Sequence, residues 1–587
     1  MQKSYKAAKK SRFKQFVNNS IIVSVLTYFS VGLHSLFSKG FMAGVFMSSD
    51  TADKSKNSGL LSLVSEKTRA DTLFSFIRRN FSLSVENSAI IRLYRIIIKA
   101  FMATTVRTIG VFFISAGLYS LLGYSIRLFM LGGVDRTQAD AVVILLTVLV
   151  SAFLVFSKKS LGRKLGESRI FYFILDLLGI NRLAIDTNRT PENHFGIAFF
   201  AGLAFGLASF FLTPVKAIYY IFTVITALVV LYSPESGLLI SMTAVPFGKE
   251  DMLFEVLAVT LVSYILKLLR GKRNLTLKSE DVPALFFALV FMLAFPGIST
   301  RRLFIMASAY FMASNLMRNT SLLKKSVYCF SLGLMIKSFI QSTLFVFGML
   351  NLNFTALTGI AAGEYNSYSV FMIIASLPFA AYMLTSKESG FHFIFRLLFV
   401  LSVCFNAAVS MSDYIWLSAA VCLFIYLLYR SAKLFNVLFA FGIIVPVIYY
   451  IRKAVYVFNH IEPFTPQRPA LSKPEFLPLM FGGTDFGGNS LYGLLLKSFG
   501  VLGITLGVIF LFMLLSRSFT SSALSRNGEV RSVCAVIIAG ISVFLFAGVA
   551  ENTFVNGNCI LMFWILCGLV SATGNAIPRY IFTDDYT

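Results

Sequence analysis

Beyond residue 108 the chain is a series of sixteen apolar segments separated by short polar stretches. They run at about 109–131, 141–157, 195–212, 215–232, 236–247, 252–270, 282–297, 303–317, 326–349, 366–384, 391–408, 413–429, 434–451, 490–514, 532–549 and 558–575. A helix needs about 20 apolar residues to cross the hydrocarbon core of a bilayer. Within that core, backbone N–H and C=O groups must be satisfied by their own segment, which helices do and open sheets do not. The pattern therefore predicts an all-α polytopic membrane protein with 14–16 transmembrane helices. The shorter segments, notably 236–247, read as tilted, broken or re-entrant spans.

Composition closes off the alternatives. Charged residues make up 13% of the chain, about half the usual share for a soluble protein. Hydrophobic residues make up 57%, including 62 Phe. A soluble multidomain enzyme lacks its polar surface here, and a disordered chain would have far less to bury. The six cysteines (Cys329, Cys404, Cys422, Cys534, Cys559, Cys567) sit inside apolar runs with no CxxC spacing and no neighbouring His. They read as small buried hydrophobes rather than as disulfide or zinc-site residues.

The net charge of +25 needs an explanation within the membrane class. Residues 1–107 carry 17 Lys/Arg against 5 Asp/Glu. Within them, Ile22, Val25, Leu26, Phe29, Leu33 and Leu36 recur at helical spacing. This segment is expected to lie on the cytoplasmic leaflet as an interfacial helix, where Lys and Arg meet anionic lipid. Placing the basic tail inside also places 158–194, 267–281, 318–325, 430–433 and 517–531 inside, and all are rich in Lys and Arg. That is the positive-inside pattern, and an even span number returns the C-terminus to the cytoplasm. The charge thus reads as topology and lipid contact, with no call for nucleic acid. Four regions follow: a basic interfacial region (1–107), two spans with a basic inner loop (108–194), a transmembrane core (195–575) and a cytoplasmic tail (576–587).

The outer face is nearly neutral and has one long loop, 452–488, before the last three spans. The loop contains Pro463, Pro466, Pro469, Pro474 and Pro478, together with His460 and Arg468. Long loops in compact proteins tend to carry function. Small polar or ionisable groups also gather at outer helix starts: Gly363-Glu364-Tyr365-Asn366, Ser410 to Leu417, Gly487-Gly488-Asn489-Ser490, and Glu551-Asn552. Helix N-termini present unpaired N–H groups and a partial positive charge, so several converging ones suit an anionic ligand.

This ordered series resembles the O-antigen ligase and polymerase family of polytopic bacterial proteins. Asn366 with Leu377-Pro378 is similar to the family's Asn ahead of an apolar helix ending in Leu-Pro. Ser412 to Leu417 fits its Ser-Arg-Gly-x-Trp-Leu frame. Gly488-Asn489-Ser490-Leu491, followed by Leu502-Gly503 and Gly507, approximates its His-Asn-x-x-Leu and Leu-Gly-x-x-Gly. Glu551, Asn552, Phe563, Trp564 and Gly568 match its closing pattern, and Ser233 to Gly237 with Pro246-Phe247 an earlier one. The family's Arg is Asp413 here and its His is Gly488.

The resemblance implies a protein of the bacterial cell membrane that transfers or polymerises glycans from an undecaprenyl-diphosphate carrier on the outer face. It implies other envelope-assembly proteins as further partners, and no metal or other cofactor is expected, since the outer face has no DxD-like acidic cluster. Transfer from a polyprenyl diphosphate needs cations for the leaving group and a base for the acceptor hydroxyl. With the family's Arg and His absent, the candidate catalytic groups are His460, Glu551 and Asp413. The candidate substrate-binding groups are Arg301, Arg302, Lys337, Asn366, Ser412, Arg468, Asn489 and Lys497. Lys337 and Lys497 fall inside spans, where an ionisable group is a functional candidate by default.

Each has a plainer reading. Arg301 and Arg302 can hold lipid headgroups, His460 can be a solvated loop residue, and Lys337 can pair with a carboxylate such as Glu255. Trp416 and Trp564 fit packing better than a sugar platform. A non-catalytic relative serving as scaffold, and a lipid-linked glycan flippase, remain the competing functions.

Overall fold

A computed structural model of the protein describes residues 99–130, 138–179, 192–208, 214–247, 250–270, 280–294, 300–349, 367–385, 393–409, 491–524, 528–550 and 557–576, with a few isolated positions between them. The expected interfacial helix in the first hundred residues and the loop at 452–488 lie outside the described residues.

The described chain is helical, with two isolated β-bridges (Thr104 to Glu192, Thr105 to Ser160) and no strand among the described residues. The first helices are α1 (Val106–Met130), α2 (Gln138–Val155), α3 (Leu161–Glu167), α4 (Arg169–Leu177) and α5 (Phe195–Ala208). Next come α6 (Pro214–Tyr232), α7 (Pro234–Ala244), α8 (Glu250–Leu269), α9 (Asp281–Ala294), α10 (Thr300–Leu316) and α11 (Thr320–Met349). The last are α12 (Ser367–Thr385), α13 (Phe393–Val409), α14 (Leu491–Leu524), α15 (Gly528–Ala550) and α16 (Gly557–Ala576).

Six helices, α1, α8, α11, α14, α15 and α16, are long and apolar enough to cross a membrane, and six shorter apolar helices accompany them among the described residues. Helix α7, with 11 residues, reaches about 16 Å at 1.5 Å per residue, well short of a bilayer core. Pro234 opens it at a position where the missing N–H costs no hydrogen bond. A 3-10 turn, Val245–Phe247, follows it.

Two packing regions are evident. In the first, α1 lies against α2 and α5. Gly202 and Gly206, four apart on α5, bring the two backbones close. A Cβ on Gly202 would sit 2.0 Å from the Ser115 hydroxyl and 2.4 Å from the Phe112 carbonyl oxygen. Small residues at this spacing are the usual device for close helix contact in lipid. The outward side of α2 is apolar and exposed (Leu145, Leu146, Leu149, Phe153), as a lipid-facing surface would be.

The second region is the core, with α16 at its centre. Trp564 is fully buried, ringed by Phe287, Phe291, Phe510 and Tyr310 at centroid distances of 5.8, 5.9, 6.2 and 6.3 Å. It is a packing residue, the plainer of its two readings. Gly568 lets α10 approach, since a Cβ there would meet the Tyr310 carbonyl oxygen at 2.5 Å. Five of the six cysteines are buried as expected, whereas Cys404 is exposed. Helix α14 is broken at Gly500, whose backbone (φ 62°, ψ −173°) departs from helical geometry.

Candidate functional site

The starts of α8, α10 and α16 meet at one end of the bundle. Helix α10 opens with Thr300-Arg301-Arg302, so both arginines fall in its first turn. The Arg302 guanidinium donates to the Asp251 carboxylate at 2.7 Å. With Arg302 42% and Asp251 82% exposed, this is a surface pair worth about 0–1 kcal/mol. Arg301 and Arg302 both lie over the Phe254 ring, at 5.7 and 5.9 Å from its centroid. Arg301 is exposed. The cations at this end are therefore one exposed arginine and one that already has a carboxylate beside it.

At the N-terminus of α16, one backbone N–H has a partner within the protein. Glu250, the first residue of α8, accepts the backbone N–H of Gly557 through Oε1 at 2.9 Å. A carboxylate of the protein thus occupies the position offered there to an anionic ligand, with the same favourable charge–dipole interaction. Neighbouring Asn558 is buried.

Of the other candidates, the structure describes two. Lys337 is half-buried on α11, next to a polar knot linking α11 to α13. Ser338 and Ser402 share a hydrogen bond of 2.9 Å, and the Asn406 amide donates to the Ser338 carbonyl and hydroxyl, both at 3.0 Å. Glu255, the suggested partner, is exposed on α8. Lys497 is exposed on α14, three residues before the break at Gly500. Hence Arg301 and Arg302 stand together, while Lys337 and Lys497 belong to separate helices. His460, Glu551, Asp413, Asn366, Ser412, Arg468 and Asn489 lie outside the described residues.

Among the described residues, the buried carboxylates lie at the other end of the bundle, where α8 finishes and α7 and α9 begin. Glu235, Glu280 and Asp281 are 5, 2 and 2% exposed. Glu235 accepts from Arg273 Nε at 2.6 Å and from the Ser233 hydroxyl at 2.9 Å. Asp281 accepts from the Tyr310 hydroxyl at 2.6 Å. Glu280 accepts from the Ser571 hydroxyl at 3.4 Å, and Ser571 shares a 3.0 Å bond with Ser314. Lys267, at the end of α8, donates to the Tyr232 carbonyl. Acidic residues at helix starts complement the macrodipole, and hydroxyl and guanidinium partners offset the cost of burying them.

Sequence reasoning passed over Glu280 and Asp281. The only signal was an acidic pair directly ahead of an apolar run, which marks a helix start and no more. Among the described residues no group of three or more His, Cys, Asp or Glu is placed to hold a metal ion. No protein-family model matches the chain, and no curated protein or solved structure matches it.

Proposed function

We propose that the chain is a multi-pass protein of the bacterial cell membrane, of the O-antigen ligase and polymerase type, acting on undecaprenyl-diphosphate-linked glycan. The spans number 14–16, both termini face the cytoplasm, and the start of α10 faces outward. The observation that carries the reading is the pair Arg301 and Arg302, side by side in the first turn of α10 and adjoining the start of α16 through Asp251 and Glu250. Two adjacent cations suit a diphosphate leaving group, which needs positive charge where negative charge develops. Asn366, Ser412, Asn489, His460, Arg468 and Glu551 would complete the outer site, and cationic side chains would serve in place of a metal.

A second reading, a non-catalytic relative that binds the lipid-linked glycan as a scaffold, has its own support. Asp413 and Gly488 replace the family's Arg and His. Asp251 also pairs with one of the two arginines, and Glu250 takes one N–H of the α16 N-terminus.

The test is to supply membranes holding the protein with undecaprenyl-diphosphate-linked glycan and to follow polymerised or transferred product. The transferase reading expects product from the unmodified chain and its loss in Arg301→Ala, Arg302→Ala, Arg468→Ala or His460→Ala. Binding without product selects the scaffold. Movement of the lipid across vesicles without new glycosidic bonds selects a transporter.

A further inference from the structure

The segment between α2 and α5 is held against the bundle at both ends and leaves an unusual face between them. At its start, Leu161 donates its N–H to the Thr104 carbonyl at 2.8 Å, and Val106 donates to the Lys159 carbonyl at 3.0 Å. At its finish, Lys325 of α11 donates to Asp176 at 3.0 Å, and the Ser236 hydroxyl donates to the Leu178 carbonyl at 2.8 Å. Ser168 forms the corner: its N–H bonds the Leu165 carbonyl to end α3, and its hydroxyl accepts from Phe171 N to begin α4. The two short helices therefore have a fixed attitude to the bundle.

On α4 the residues divide by face. Leu175 is buried toward the bundle, while Phe173 and Ile174 are 43 and 44% exposed. At about 100° per residue, Phe173 and Ile174 lie side by side as a narrow apolar stripe on a surface helix, while Leu177 packs against the bundle core. Earlier in the chain, Phe153 and Phe156 at the end of α2 are also apolar and exposed, at 70 and 84%.

Charge brackets this stripe. Residues 158–179 carry five basic side chains and two acidic ones. Both acids are engaged: Glu167 with Lys159 at 2.5 Å and Arg163 at 3.5 Å, and Asp176 with Lys325. The hydrogen bond from Lys159 holds the Glu167 carboxyl below its usual range. Lys158, Arg163, Lys164 and Arg169 are exposed.

We infer that α3 and α4 form a docking surface for anionic phospholipid, with Phe173 and Ile174 entering the acyl boundary and Lys158, Arg163, Lys164 and Arg169 engaging headgroup phosphates. An apolar stripe beside basic side chains is the pattern of helices that lie in the membrane interface, and polybasic segments next to spans favour anionic leaflets. The inference rests on the chain spanning a membrane and is independent of any action on glycans. It also gives the described part of the protein a lipid contact separate from the basic region at 1–107.

The test uses full-length protein carrying Phe173→Trp, reconstituted in vesicles of phosphatidylcholine and phosphatidylglycerol, with the brominated chains placed on one lipid or the other. Emission from Trp416 and Trp564 is subtracted using the unmodified protein. The expected result is quenching of the new tryptophan by brominated lipid, greater when bromine is on phosphatidylglycerol, and weak quenching by aqueous iodide. Raising the salt concentration removes the preference for phosphatidylglycerol, as does changing Lys158, Arg163, Lys164 and Arg169 together to Gln. Strong iodide quenching with none from brominated lipid overturns the inference, because the face would then meet water or another protein. Equal quenching by the two brominated lipids at low salt overturns its anionic preference without needing the charge variant.

Discussion

The Glu250 carboxylate accepts the backbone N–H of Gly557 at 2.9 Å, joining the first residue of α8 to the first residue of α16 across 307 positions of sequence. Helix α16 is the most buried of the six long apolar helices among the described residues, and the bond ties its first residue to α8. It also gives a protein partner to an N–H that every helix start otherwise leaves unpaired.

Glu250→Ala is accordingly expected to lower stability by about 1 kcal/mol, the usual cost of losing a side-chain cap. Glu250→Gln keeps an acceptor oxygen and should lose less. Thermal unfolding of the detergent-solubilised protein measures both. If Gly557 has no need of the carboxylate, Glu250→Ala will unfold with the unmodified protein.

The Tyr310 hydroxyl donates to Asp281 where both residues are at most 2% exposed. Tyr310→Phe removes one donor from a buried carboxylate and should cost about 2 kcal/mol, in the range for hydrogen bonds to charged groups. Tyr310→Phe with Asp281→Asn should cost less than the sum of the two single changes, because the pair acts as a unit. Strict additivity would mean the hydroxyl and the carboxylate are energetically independent.

These two pairings show where sequence reading stops. The helices were legible because apolar runs between basic loops have few other uses, and the brevity of α7 was visible in the length of 236–247. The ends of the bundle were not. Which helix start meets which depends on the neighbours α16 acquires, and no local pattern ties Glu250 to Gly557 or Tyr310 to Asp281. The arginine pair was visible as a pair, but its company, Asp251 and Phe254, was hidden by distance in sequence, 51 positions in the case of Arg302 and Asp251. Buried carboxylates at the other end looked like ordinary helix starts, because burial is a property of the assembled bundle.

On α5, a Cβ at Gly202 would overlap Ser115 and the Phe112 carbonyl, whereas one at Gly196 would meet nothing within 4 Å. Gly202→Val should therefore force α5 from α1 and destabilise by about 1–3 kcal/mol, the scale of overpacking. Gly196→Val on the same helix provides the contrast and should be close to neutral. Similar losses from the two substitutions, measured by unfolding in detergent, would show that helix propensity and not contact with α1 sets the effect.

Gly500 supplies the last prediction. Its φ of 62° and ψ of −173° place it in a region that only glycine occupies readily, so a side chain there carries a strain of about 1–3 kcal/mol. The break has a structural role: Phe499 points into the aromatic core, 5.6 Å from Phe291 and 6.1 Å from Phe287, while Val501 and Leu502 turn outward and are exposed. Gly500→Ala should destabilise the protein by that strain, or straighten α14 and withdraw Phe499 from its ring partners. Gly540, inside α15, is the opposite case. A Cβ there would find only ordinary contacts at 3.7–3.9 Å with Leu566 and Phe379. Ala at that position should be neutral or raise stability by up to about 1 kcal/mol, since glycine costs that much in a helix interior. The two Gly-to-Ala changes are thus expected to differ in sign. A stabilised Gly500→Ala protein would refute the break as a required feature, because it would mean that α14 runs through position 500 as one continuous helix.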